Sequence, residues 1–210
     1  MTKLTSSITC IYVLMILIVF HHVISLSDCF EDWVTSVIGL VEIFFSVIYF
    51  LQLKNNLKKY FRFQEIEKPI NWLASSYVGM AFVVIFMSYQ KFYHLNVKSG
   101  DPVFLTVFLI IFLIGINSII NFFIQYIRIG KKMLNYRPEI KEFKIVGYFY
   151  LITPFLVIPL IILYVTKTYK DWRHILIITE ILPLWYMANV YDKLLNEKDG
   201  VETISEQDEI

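Results

Sequence analysis

Six long apolar stretches, separated by polar segments, dominate this sequence and restrict the folds open to it. They cover residues 8–26, 33–53, 70–89, 103–127, 145–165 and 175–191. An α-helix rises about 1.5 Å per residue, so about 20 apolar residues cross the roughly 30 Å hydrocarbon core of a bilayer. Because the stretches are continuously apolar instead of alternating, a transmembrane β-barrel is excluded. We predict an all-α polytopic membrane protein, with six transmembrane helices in a compact bundle with short loops over residues 1–195.

The small share of charged residues excludes a soluble domain. Charged side chains make up 18% of the 210 residues and hydrophobic side chains 57%, whereas a typical soluble domain has about 25% charged residues. The net charge is only +1, so no basic domain is available to bind nucleic acid. The lipid bilayer is therefore the first partner that we predict.

The basic residues predict the orientation of the chain. If the N-terminus is cytoplasmic, most of the 19 lysines and arginines fall in segments on that side of the membrane. The positive-inside rule then places both termini in the cytoplasm. Each inner segment is expected to begin as a continuation of the preceding helix. Each of these two inner segments contains a basic pair, which is predicted to contact anionic lipid headgroups or a protein partner. The pairs are Lys58 and Lys59 in the first inner segment and Lys131 and Lys132 in the second.

Two features outside the spans concern where the helices end. Gly130 and Pro138 are expected to stop the helix that follows the fourth stretch, because glycine and proline disfavour helix interiors. Residues 196–210 are acidic and nearly devoid of apolar side chains, so they are predicted to form a disordered cytoplasmic tail. Such a tail is either a solvated end or a docking peptide for a basic partner.

Two carboxyl groups lie inside the apolar stretches, where charge is otherwise excluded. Glu42 lies in the second stretch and Glu180 in the sixth. An acidic residue at the centre of a membrane helix costs about 2.5–3.5 kcal/mol on insertion scales, so it normally faces the bundle interior or water. We predict that both carboxyls face inward and exchange a proton or bind a cation.

Asn117 and Asn121 are the other polar residues that we assign to this site. They lie four residues apart on the fourth stretch and so share one helical face. Two interpretations stay open: a polar core shared with Glu42 and Glu180, or hydrogen bonds that hold neighbouring helices together. Pro183 follows Glu180 by three residues and removes a backbone hydrogen bond beside it.

The histidines suggest a metal ion on the outer face. His21 and His22 end the first stretch and His174 precedes the sixth, near Cys29 of the first outer loop. Imidazole, thiolate and carboxylate are ligands that zinc and copper accept. The spacing of these residues matches no diagnostic metal motif, and the sequence implies no other cofactor.

These observations support three hypotheses about function. The first is a small membrane transporter, channel or ion-responsive sensor, either monomeric or a homo-oligomer, whose intramembrane site is built on two carboxylates. The second is a membrane-embedded anchoring, sensing or assembly subunit that acts through its cytoplasmic loops and tail. The third is an intramembrane enzyme that uses the outer histidine, cysteine and acidic residues. Because no known catalytic motif occurs, the sequence favours a function without catalysis.

Overall fold

Six long helices make up the chain in a computed structural model that describes residues 3–26, 32–92, 102–136, 141–165 and 173–207. They are α1 (Lys3–Leu26), α2 (Asp32–Phe61), α3 (Glu67–Phe92), α4 (Pro102–Asn135), α5 (Lys141–Val165) and α6 (Arg173–Gln207). A single 3-10 turn, Gln64–Ile66, joins α2 to α3. The predicted all-α class is confirmed. Helices α1 to α5 are long and apolar enough to cross a membrane, and a crossing by α6 stays a prediction.

Two predicted helix ends differ from the structure. Gly130 does not stop α4, which continues to Asn135, and this glycine lies instead at a close crossing with α5. Helix α6 continues to Gln207, so the backbone of the tail that we predicted to be disordered is helical up to that residue. Leu194 and Leu195 pack against the core and anchor this part of α6. Extending a formed helix costs far less than starting one.

The six helices form a closed ring. The backbone of each helix lies close to that of the next helix in the chain, and α6 lies close to α1, whereas within the described residues helices across the ring meet only through side chains. Neighbouring helices run antiparallel, because residues near opposite ends of their helices pair with each other. Ser7 of α1 accepts a hydrogen bond from Asn56 of α2, and His21 of α1 pairs with Glu42 of α2.

The core fills one end of this ring. We call it the basic end, because Lys58, Lys59, Lys131 and Lys132 lie there. The largest fully buried side chains belong to the helix halves that meet at this end: Ile11, Leu53, Leu57, Ile66, Ile70, Leu73, Ile129, Met133, Phe143, Val146, Met187 and Tyr191. Many other large apolar side chains face outward, as expected for a surface in contact with lipid; they include Phe44, Phe82, Phe112, Leu113 and Phe155.

Glycine permits a close crossing of α4 and α5. A Cβ atom on Gly130 would lie 2.7 Å from the carbonyl oxygen of Gly147 and 2.7 Å from the backbone nitrogen of Leu151. Small residues are typical of such contacts between membrane helices, because they allow the two backbones to approach. Gly130 therefore joins α4 to α5 instead of ending α4.

Replacing Gly130 with alanine should push α4 away from α5 and lower the stability of the protein. Backbone atoms cannot move aside as a side chain can, and overpacking costs about 1–3 kcal/mol. Thermal unfolding in detergent measures the loss. Gly115→Ala on the same helix is the control, because its Cβ would meet only a methyl group of Val83 at 3.1 Å. Equal destabilisation by the two substitutions would contradict the assigned role of Gly130.

Candidate functional site

A cavity of about 210 Å³ lies inside the ring, and all six helices contribute to its wall. It lies next to the packed core of the basic end, where the fully buried residues fill the space between the helices. Its polar lining consists of Glu42, Ser46, Tyr49, Tyr77, Tyr126, Tyr150, Thr179 and Glu180. No lysine or arginine appears among the described residues that line it. The cavity is therefore acidic and aromatic.

Glu42 and Glu180 line this same cavity from helices that are not neighbours in the ring. Their surroundings differ. Oε2 of Glu42 lies 2.5 Å from Nδ1 of His21, and this side chain is 19% exposed. Oε2 of Glu180 is buried and has no hydrogen-bond partner within the described part of the chain. The two carboxyls thus differ, because Glu42 is paired with a histidine while one oxygen of Glu180 is buried without a partner in the described part of the chain.

His21 reaches Glu42 because α2 has a glycine where the two helices meet. A Cβ atom on Gly39 would lie 3.3 Å from Cε1 of the His21 ring. The structure thus assigns His21 a carboxylate partner inside the ring. His22 instead contacts the carbonyl oxygen of Ile18 in its own helix, 2.9 Å from its Nδ1 atom.

The predicted outer-face metal ion has no set of ligands among the described residues. No three histidine, cysteine, aspartate or glutamate side chains come together there to hold a metal. The side chain of His174 and all of Cys29 lie outside the described residues. The metal hypothesis therefore gains no support from His21 and His22.

Tyrosines form the part of the site that the sequence analysis missed. The hydroxyl of Tyr49 lies 3.3 Å from that of Tyr150, and the hydroxyl of Tyr77 lies 3.4 Å from that of Tyr126. These four residues come from α2, α3, α4 and α5, one from each helix. The available signal was weak: each of four consecutive apolar stretches contains a tyrosine, but two of these stretches contain more than one.

Aromatic rings crowd this side of the cavity. The ring of Phe50 has its centroid 5.6 Å from that of Tyr77 and 6.4 Å from those of Tyr126 and Tyr150. The rings of Tyr126 and Tyr150 are 5.0 Å apart, and Phe122 packs on Tyr126 at 4.4 Å. Side chains from four helices therefore form one continuous aromatic wall.

The asparagines do not join the two carboxyls. Asn121 donates hydrogen bonds to the carbonyl of Trp72 at 3.0 Å and to the hydroxyl of Ser76 at 2.7 Å, both on α3. It also accepts one from Gln125 at 2.8 Å. Asn117 is exposed, and neither asparagine lines the cavity. A step of four residues turns about 40° beyond one full helical turn, which moves Asn117 away from the contact with α3.

Asn121→Ala should therefore loosen the contact between α3 and α4 without removing a group from the cavity. Hydrogen bonds between membrane helices contribute about 0.6–2 kcal/mol, so we expect a loss of that order in the free energy of unfolding. Asn117→Ala, four residues away on the same helix, should change it little. Unfolding in a denaturing detergent series compares the two variants, and equal losses would contradict this assignment.

The basic pairs are partly engaged within the protein. Nζ of Lys58 lies 2.8 Å from Oε2 of Glu67, and Nζ of Lys132 lies 2.8 Å from Oε2 of Glu65. The first ion pair joins α2 to the start of α3, and the second joins α4 to the 3-10 turn that precedes α3. Nζ of Lys59 lies 5.0 Å from the ring centroid of Tyr60, and Lys131 is exposed. Of the four lysines predicted to meet lipid or a partner, Lys58 and Lys132 thus have carboxylate partners.

The prolines lie inside helices that stay continuous. Pro154 is internal to α5 and Pro183 is internal to α6. Each lacks the N–H that would donate to the carbonyl four residues earlier, at Tyr150 and at Thr179. Because Tyr150 and Thr179 both line the cavity, the two prolines change the backbone hydrogen bonding of α5 and α6 at the level of the site.

Comparisons of the chain with protein-family models, with curated proteins and with solved structures find no match. The chemistry of the site is therefore interpreted from its own residues. A cavity whose described lining contains two carboxyls and no lysine or arginine is expected to attract cations and repel anions.

Proposed function

We propose that this protein is an integral membrane transporter, channel or ion-responsive sensor that engages a cation or a proton at Glu42 and Glu180. The observation that carries the proposal is that these two carboxyls, on non-neighbouring helices, line one cavity inside a ring of apolar helices. Two carboxylates that share a site of low dielectric constant repel each other. A bound cation or proton relieves this repulsion, which supports a binding function over a purely structural one.

The asymmetry of the ring suggests how the site would be reached. Large side chains fill the ring at the basic end, next to the cavity. A ligand would therefore enter from the opposite end, which the positive-inside rule assigns to the outer side. Movement through the protein would require a rearrangement, and the proline-containing helices α5 and α6 are the segments suited to it.

Neutralising either cavity carboxyl should impair the response to cations while leaving the fold intact. In Glu180→Gln and in Glu42→Gln the shape is kept and the charge is lost. Losing one partner of a buried charge pair costs about 2–5 kcal/mol, so we expect cation-dependent flux or cation binding to fall about tenfold or more. Proteoliposomes with proton, Na⁺ or K⁺ gradients measure the flux, and a cation-dependent thermal shift measures the binding.

Glu67→Gln is the matched control, since Glu67 is exposed and pairs with Lys58 outside the cavity. It should behave as the unmodified protein does in both measurements. If both cavity variants stay fully responsive, the two carboxyls are structural. The role of a membrane-embedded assembly subunit would then be the better account of the protein.

A further inference from the structure

We infer that the ligand of this cavity is a small organic ammonium ion, held by the Glu180 carboxylate and by the rings of Phe50, Tyr77, Tyr126 and Tyr150. The inference rests on the proposed function, because it names the class of cation that the same site would take. It draws on three features of the cavity: its aromatic wall, the Glu180 carboxyl, one oxygen of which has no partner among the described residues, and its volume.

The aromatic wall suits a cation that carries alkyl groups. The ring of Phe50 packs against those of Tyr77, Tyr126 and Tyr150, and the rings of Tyr126 and Tyr150 pack against each other. The centroids of these ring pairs are 5.0–6.4 Å apart. The planes of these ring pairs are inclined by 32° to 68°, and all four residues line the cavity. Ring faces attract a cation within about 6 Å of the centroid, and groups of aromatic rings are known to bind quaternary ammonium ions.

Glu180 supplies the opposite charge. Its Oε2 atom is buried and has no hydrogen-bond partner in the described part of the chain. Oε2 of Glu42, in contrast, pairs with His21. Of the two carboxyls, Glu180 is therefore the stronger partner for a cation in the cavity. The helices that carry Glu42 and Glu180 lie on opposite sides of α1 in the ring.

The rest of the lining is better matched to an organic cation than to a metal ion. Hard cations such as Ca²⁺ require about 6–8 oxygen ligands close around them. Among the described residues of the lining, the four tyrosine hydroxyls pair with one another, and aromatic and apolar side chains outnumber the carboxyl and hydroxyl groups of Glu42, Ser46, Thr179 and Glu180. The volume of about 210 Å³ also far exceeds a bare ion, and compares with roughly 30 Å³ for one water molecule. A small organic cation fills such a space with apolar contacts.

The test uses the full-length purified protein and choline, a quaternary ammonium ion that cannot lose its charge by deprotonation. Equilibrium dialysis with radiolabelled choline should give saturable binding. The neutral isostere 3,3-dimethylbutan-1-ol has the same shape without the charge, so it should compete about tenfold or more weakly. Na⁺ and K⁺ at matched ionic strength should compete weakly, because they gain little from aromatic rings.

Substitutions separate the contribution of the charge from that of the rings. Glu180→Gln should abolish choline binding, and Phe50→Leu should weaken it about tenfold. Phe44→Leu is the control on the same helix, because Phe44 is 62% exposed on the outer surface and should leave binding unchanged. Tyr126→Phe gives a second test, which does not depend on whether Phe50→Leu folds. It keeps the ring and removes the hydroxyl, so choline binding should persist.

Several outcomes overturn the inference. One is choline binding that survives Glu180→Gln or is matched by the neutral isostere, since it would then be ordinary apolar partitioning. Another is loss of binding in Tyr126→Phe, which would assign recognition to hydroxyl ligands instead of aromatic rings. Responses to Na⁺, K⁺ or protons without choline binding would overturn this inference alone and leave the proposed function standing. No response to any of these cations would overturn both.

Discussion

The space along the axis of a six-helix ring is the constraint on which the rest of this structure depends. In a regular ring of six, each helix lies as far from the centre as from its neighbours, about 9 Å. Side chains must therefore fill the space that a seventh helix would occupy. At the basic end, large residues such as Phe143, Met133 and Tyr191 do so completely. Farther along the axis the filling is incomplete, and the cavity results.

The incompletely filled part of the axis is also where the polar groups are concentrated. Hydroxyls of Tyr49, Tyr77, Tyr126 and Tyr150 pair across helix boundaries at its wall, so each has a hydrogen-bond partner although it is buried. Glu180 is different, because its buried oxygen has no partner among the described residues. An unsatisfied buried acceptor costs stability, and a ligand that satisfies it recovers that cost. Binding and stability are therefore linked at this residue.

The sequence predicts the helices and the inward carboxyls for the same physical reason, which is the cost of polar groups in hydrocarbon. That cost does not depend on which helices are neighbours, so Glu42 and Glu180 can be assigned to the interior without knowing the ring order. The ring order decides that they share one cavity, and it depends on packing across the whole bundle. Asn117 and Asn121 illustrate the limit, because a rotation of about 40° places one outside and the other against α3.

Residues with two common roles were the hardest to interpret from sequence. Tyrosines near the ends of spans usually mark the membrane interface, and only the packing shows that Tyr77 and Tyr126 line a cavity. Glycine after a span usually ends a helix, whereas Gly130 allows a close crossing of α4 and α5. In each case the composition is compatible with both roles. Which of the two roles the residue has depends on a residue of another helix, and a local sequence pattern carries no information about that contact.

The contacts between neighbouring helices are not equivalent around the ring, and this inequality bears on how the cavity would open. Asn121 bonds α4 to α3, and Gly130 and Gly147 bring α4 and α5 into backbone contact. Prolines interrupt the backbone hydrogen bonding of α5 and α6. A helix with a missing hydrogen bond bends at lower cost than an intact one. We therefore expect α6, which carries Glu180 and Pro183, to move against α1 while α3 and α4 stay fixed. Such a motion would change the access to Glu180 and its distance from Glu42 together.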